Sequence, residues 1–574
     1  MPRRGYRFLA PVEFLETAAA SGNGANGDSL SASLPEVRRA SDVHINNGNV
    51  RAGTDVVGGG GRRFRLSPRM VRISAWASLG IGLTVAAAVV YLQRRGHQQD
   101  FRSSIHSLAV LPFDNVSGDS DQEYLAAGMT DEIRKNLRRI PSLRVVSEAS
   151  AARFKHTGKP IAEIGREMGV DALIEGSSAR AADKVRLTVR LFSVADNEYL
   201  WAGDFTSSIR QLLATQDEIT QTIAQQIRAQ FTTQGAPAKT RHVPLPEAYA
   251  AYLEGSYYYH HWGGRWALVW WKKSCDNFQR AIQLDPEYAQ AYAGLAECYT
   301  GINEMGMEVP EKDRVSPEQA TAMAKKALQL DDTLAEAHAA LGTIYLDDWR
   351  WAEALQELKQ ASELEPNDPQ LHFRLANCYR IVGNLQRAVE QAKEAKRLDP
   401  GSAGMAAELG WMYFNLGDEA QAEKEFQDAK ALGPVSVPAL RGLFEIYNRR
   451  HKRAEAMAEL SDFLRATRHP DRARKMLEIY NSQGFENAVQ YQLREEIRDD
   501  YDTNATAFYF AADYARLGDR DKALAYLEQA YAGHAPQLRG LKTNRDFASV
   551  SSDPRFQSIL KKIGLDDASL ATLN

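Results

Sequence analysis

Residues 335–366 read AEAHAALGTIYLDDWRWAEALQELKQASELEP, and their landmarks return every 34 residues. Leu341, Gly342, Tyr345, Ala354, Ala361 and Pro366 recur as Leu375, Ala376, Tyr379, Ala388, Ala395 and Pro400. They recur again as Leu409, Gly410, Tyr413, Ala422, Ala429 and Pro434, and a fourth block keeps Leu443, Tyr447 and Ala456 before the pattern fades. The residue types fit two antiparallel helices per unit. Small residues allow close approach, Leu and Tyr fill the space between, and Pro ends the second helix. One such pair cannot bury its apolar face alone, so the units must stack.

Working outward, two earlier units carry insertions. One is Tyr252–Asp285, interrupted around Trp262-Gly263-Gly264, and the other is Ala289–Leu330, interrupted by Gly301–Ser316. A late unit keeps Tyr514, Ala523 and Ala530, while Arg472–Asp500 is helical in pattern but off-consensus. Residues 536–574, with the helix expected from Asp553-Pro554-Arg555-Phe556 to Gly564, read as a terminal cap. The period and its landmarks resemble the tetratricopeptide repeat, here over residues 245–535. That resemblance implies a superhelix whose first helices face a concave groove for a protein partner. The register puts Asn377, Arg380, Trp411, Phe414, Asn415 and Arg441 on the groove wall, a mixture of aromatic and donor groups suited to a peptide segment.

Upstream, residues 105–231 mix strand and helix patterns in one compact α/β domain. Ser107–Asn115 is a buried strand running into a loop, and Ser120-Asp121-Gln122-Glu123 has capping-box spacing before a helix reaching about Ile140. Leu143–Ser147 is a second strand, and Ile161–Met168 a helix stopped by Gly169. Asp171–Ala179, Lys184–Val194 and Tyr199–Phe205 are strands, closed by a helix from Ile209 to Phe231. Asp114, Asp131 and Glu132 could be paired carboxylates, but a loop position and a helix start explain them without chemistry. The runs AVLPFDN (109–115), YLAAGMTDEI (124–133), GREMGVDALIEGS (165–177), VRLTVRLFSV (185–194), LWAGDF (200–205) and QDEIT (216–220) resemble the TolB amino-terminal-like domain of bacterial membrane regulators. The resemblance implies no catalytic residues.

Ile73–Leu92 is twenty residues without a charge. As a helix it spans about 30 Å, a bilayer's hydrocarbon thickness. Arg69, Arg72, Arg94 and Arg95 flank it, and Trp76 and Tyr91 fall near its ends. It starts too far from Met1 to be a signal peptide. It is expected to be a transmembrane helix in the lipid bilayer. Five arginines precede it closely (62, 63, 65, 69, 72) against three after it (94, 95, 102), which puts the amino terminus in the cytoplasm and the repeats in the periplasm of an inner-membrane protein. Residues 11–72, rich in Gly, Ala, Ser and Asn, read as a disordered, flexible linker. At residues 1–10, the run Pro2-Arg3-Arg4-Gly5-Tyr6-Arg7-Phe8 resembles the wing that closes an OmpR/PhoB-type winged helix, which implies phosphate contacts for Arg3, Arg4 and Arg7. A lone hairpin cannot read bases. The expectation is therefore that DNA is a partner only if the rest of that domain is restored. A start codon misread at a GTG valine is the favoured reason for its absence.

The net charge of −4 hides a division: residues 1–105 hold fourteen Arg, no Lys and seven Asp or Glu, so the remainder is strongly acidic. The three cysteines, Cys275, Cys298 and Cys378, have no metal or redox spacing and read as free, buried apolar residues, with a 275–298 bridge left open. No phosphate loop, HExxH or GxSxG is present, and His260-His261 point apart on a helix. No enzyme activity, cofactor or metal is expected. The fold expected is mainly α: a tetratricopeptide-repeat superhelix after a small α/β domain, one transmembrane helix and a disordered linker. Together the segments resemble the ToxR-like family of membrane-anchored regulators. An envelope scaffold without a DNA role, or a non-catalytic relative of repeat-bearing adenylate cyclases, are the alternatives.

Overall fold

A computed structural model describes residues 105–119, 122–140, 143–181, 184–208, 211–227, 242–261, 267–304, 315–433, 436–498, 504–571 and 573. The expected wing (1–10), linker (11–72) and transmembrane helix (73–92) lie outside the described residues. Within them, no helix is long and apolar enough to cross a membrane.

The α/β domain is a mixed sheet in the order β3-β1-β4-β5-β6, with β2 also pairing β4. β1 (Ser107–Val110) lies parallel to β3 (Arg144–Val145) and β4 (Ala172–Ala181), whereas β5 (Lys184–Ser193) and β6 (Glu198–Ser208) continue antiparallel. β2 is the pair Asp114–Asn115, which the sequence placed in a loop. The alternation in β5 has its expected effect: Val185, Leu187, Val189 and Leu191 are all fully buried. Against them pack α1 (Glu123–Arg138) and α4 (Leu212–Gln226), while α2 (Glu148–Ala152) and α3 (Ile161–Met168) cover the other layer. Gly169 stops α3 at φ +62°. α1 opens at Glu123 with no side-chain cap from Gln122. Ser120, the capping residue of the expected box, lies outside the described residues.

The repeats begin with helices Pro246–His261 and Ala267–Leu284. Their Tyr249, Tyr252, Leu253, Trp271 and Phe278 share one core with Leu125, Met129, Ile133 and Leu137 of α1. The approach is close: a Cβ on Gly128 of α1 would stand 2.9 Å from Leu253. Polar contacts fasten the domain further along. Asn367 Nδ2 donates to the carbonyls of Arg138 and Ile140 at 3.2 and 3.0 Å, and Arg138 pairs with Asp368 at 2.7 Å. Ser147 and Ser150 donate to Asp399, which is wholly buried. These acceptors sit on two successive inter-repeat turns, so the period that builds the array also builds the docking face.

Cys275 and Cys298 form a disulfide between helices Ala267–Leu284 and Ala289–Glu304. This corrects the reading of all three cysteines as free: stacking puts the two Cα atoms 5.9 Å apart, a bonding distance that spacing in sequence does not display. Cys378 is free and buried, and burial pushes its thiol up to about 12.

Within each unit the chain turns between helices through a left-handed residue: Trp349, Gly383, Gly417 and His451, again 34 apart. Such a conformation costs a non-glycine residue about 1–2 kcal/mol. Exposed His451 (φ +55°) is therefore strained, and His451→Gly is expected to raise the thermal midpoint slightly while Gly417→Ala lowers it. Differential scanning calorimetry checks both signs.

The carboxy-terminal segment does more than cover a last face. Its two 3-10 turns, Pro536–Gly540 and Arg545–Ser549, and helix Pro554–Lys562 share a core with helices Ala335–Asp347, Trp351–Leu364 and Asn504–Leu517. The Trp351 indole donates to the Ile563 carbonyl at 2.7 Å, and Arg539 pairs with Asp347 at 2.9 Å.

Candidate functional site

The groove residues divide in two. Arg380 donates to Asn377 at 2.7 Å and to Thr543 of the carboxy-terminal segment at 3.1 Å. Arg545 of that segment donates to the Asn415 carbonyl at 3.3 Å and stands 4.9 Å over the Phe414 ring. Thus Asn377, Arg380, Phe414 and Asn415 do lie together, but they face this chain's own tail. Trp411 packs edge-on to Phe414 and Phe426 within its repeat. Arg441 lines a small niche with Phe444, Leu460, Phe463, Leu493 and Arg516. Arg3, Arg4 and Arg7 lie outside the described residues.

A larger site forms where α1 meets the repeats: a cavity of about 480 Å³. Its wall includes Asp131, Lys135 and Arg138 of α1, Glu148 of α2, Tyr252 and His260 of the first repeat helix, and Glu297, Glu336, Glu365, Asp368 and Arg374 of later ones. Asp131 and Glu132 are therefore not a helix start, as the sequence suggested, but sit in the second half of α1. Both face the repeats, Asp131 buried on the cavity wall and Glu132 half-buried beside the Tyr252 hydroxyl.

The charges are extensively paired. Asp131 binds Arg134 at 3.0 Å and Lys135 at 3.1 Å, and Lys135 reaches Glu132 at 3.5 Å and the Tyr252 hydroxyl at 3.4 Å. Arg374 pairs with Glu297 at 3.2 Å. Burial alone would raise the Asp131 carboxyl, but Lys135, His260 and Arg134 outweigh it and hold it well below the usual carboxylate range. Glu365 goes the other way. Burial, then the charges of Glu336 and Asp368, push its carboxyl up to about 8, since its own ion pair with Arg139 is long, at 3.9 Å. Burial likewise raises Glu297 and Glu132.

Asp131, Glu148 and His260 bring ligand-type atoms within 4.8 Å of one another. A cation there would compete with Arg134, which already lies 3.0 Å from Asp131 and 3.8 Å from Glu148, and with Lys135. The donor set fits its own basic residues better than a metal.

The model of a tetratricopeptide repeat matches residues 339–403 and 383–437. The chain carries tetratricopeptide repeats. A curated Rhizobium meliloti (strain 1021) protein named "Putative adenylate cyclase 3" is 28% identical over 263 residues, 44% of this chain and 42% of its own. The chain thus spans less than half the length of the curated relative it matches. Among solved structures, YrrB, "a TPR protein with an unusual peptide-binding site", is 24% identical over 35% of this chain and 91% of its own, with a TM-score of 0.26. Pseudomonas aeruginosa pilF is 18% identical over 43% and 96%, with a TM-score of 0.31. MamA is 21% identical over 28% and 96%, with a TM-score of 0.25.

Proposed function

We propose that this repeat protein is the anchored, non-catalytic sensor and scaffold of an envelope signalling system. Ile73–Leu92 holds it in the inner membrane with the amino terminus in the cytoplasm, and the α/β domain and repeats lie on the far side. The repeats meet protein partners, and the inner-wall positions Trp411 and Arg441, which no described contact ties to the carboxy-terminal segment, are the contact points. The observation that carries the placement is the Cys275–Cys298 bridge, because structural disulfides persist in oxidising compartments and are rare in the cytosol. The excess of arginines before the apolar run supports the same orientation.

In this reading the wing-like run Pro2–Phe8 belongs to the cytoplasmic, DNA-directed side of a ToxR-like regulator. The similarity to the cyclase-named Rhizobium protein favours a second reading, in which the same sensor body serves a cyclase-type signalling protein without contributing chemistry. The experiment for the shared core of both is a topology test. Alkaline phosphatase fused after Phe231 is expected to be active, and the full chain, denatured under alkylation, is expected to expose one reactive thiol out of three. A stably made but inactive fusion, or three free thiols, overturns the placement.

A further inference from the structure

We propose that the cavity between α1 and the repeats binds a small zwitterion of the free amino-acid class, its ammonium met by Glu336 and its carboxylate by Arg138. The proposal does not depend on where the chain is anchored. A volume of about 480 Å³ falls in the range of small-molecule sites and accommodates one amino acid with room for solvent.

The chemistry follows from what the wall leaves unsatisfied. Most of its acids are answered from within the protein: Asp131 by Arg134 and Lys135, Asp368 by Arg138, Glu297 by Arg374. Among the described residues, three buried atoms of this wall have no hydrogen-bond partner, Asp131 Oδ2, Glu336 Oε2 and Arg138 Nε. Lys135 stands 3.1 Å from the first, which leaves two of opposite type, Glu336 Oε2 and Arg138 Nε. Buried polar groups of a native fold are nearly always hydrogen-bonded, so an acceptor and a donor left over on one cavity wall call for a ligand carrying both complements. The wall holds six carboxylates against three Lys or Arg, which makes the ammonium the group the cavity needs most. Glu336 is the centre of that excess: its charge raises the carboxyls of Glu132, Glu297 and Glu365 alike. A bound ammonium would relieve all of them together.

Alternatives satisfy only one side. A diamine leaves Arg138 Nε unmet, phosphate faces Glu336 with a second anion, and a dication offers Arg138 nothing. Phe278 and Leu371 on the same wall supply apolar surface, so the side chain expected is aliphatic or aromatic.

The test uses the purified full chain in detergent, with thermal melts and titration calorimetry. L-Leucine or L-phenylalanine at millimolar concentration is expected to raise the thermal midpoint by several degrees. The one-signed analogues 3-methylbutylamine and 4-methylpentanoate, 1,4-diaminobutane, inorganic phosphate and Zn²⁺ are expected to leave it unchanged. Glu336→Gln is expected to weaken amino-acid binding at least tenfold with the circular dichroism spectrum intact. No shift with either amino acid, an equal shift with the decarboxylated amine or diamine, a shift with phosphate or Zn²⁺ alone, or unchanged affinity in a folded Glu336→Gln each overturns the proposal. The contrast between leucine and its amine needs no variant, so the proposal stays falsifiable if the substitution does not fold.

Discussion

Removing residues 536–574 is expected to unfold the repeat array rather than to free its groove. The segment buries Leu538, Leu541, Phe547, Val550, Phe556 and Ile559, each at most 3% exposed, in the core it shares with helices of the 335–381 region. At roughly 1.5–3 kcal/mol per large apolar side chain, these six contribute about 9–18 kcal/mol, as much as the whole net stability of an ordinary domain. Trp351 would also lose its carbonyl acceptor at Ile563, and Asp347 its partner Arg539. The measurement is helical circular dichroism and limited proteolysis of the chain ended at Ala535. Aggregation or rapid cleavage within 335–530 is the expected result. A soluble, cooperatively melting product would show the segment to be a removable plug. By the same numbers, a partner that displaced the segment from Arg380 and Phe414 would have to offset this burial.

How much of this was legible follows from range. The 34-residue period fixed the helix pairs because each pair is local, and Leu341, Tyr345 and Ala354 are buried as their types require. The alternation in β5 and the stop at Gly169 were legible for the same reason. The cavity was not. Asp131 and Glu336 are 205 positions apart, and nothing in either neighbourhood announces the other. Only one signal was available: α1 carries Asp131, Arg134, Lys135 and Arg138 on a face that also presents Gly128, more polar than a core yet built for close approach. The disulfide was visible as a possibility, since 23 residues separate cysteines on neighbouring helices, but the facing of the two helices decides it. The carboxy-terminal segment in the groove could not be read at all, because the curvature that brings repeat helices to it is a property of the stack.

Phe426→Ala is expected to cost about 3–5 kcal/mol, the range for deleting a buried ring, and to loosen the array from 403 to 449. The ring is fully buried and slotted between two glycines. A Cβ on Gly410 would lie 2.6 Å from it and one on Gly442 2.3 Å. The repeat shows the rule behind this slot. Gly342 stands against Leu358, where a Cβ would come within 2.6 Å, and one period on the pair becomes Ala376 and Ala392. In these three units, where the small position gains a methyl the opposing residue shrinks, and where it is glycine the opposing residue is large; the fourth unit, with Phe444 and Leu460 at these positions, departs from the rule. Gly442→Ala in the native background is therefore an overpacking change, costing about 1–3 kcal/mol. In a Phe426→Leu background the same methyl has room, and its cost is expected to fall by at least 0.5 kcal/mol, roughly the smallest coupling seen between residues in contact. Urea unfolding of the two single variants and the double variant, with amide exchange across 403–449, measures that coupling. Equal costs of Gly442→Ala in the two backgrounds would mean that the glycines serve the backbone and not the ring.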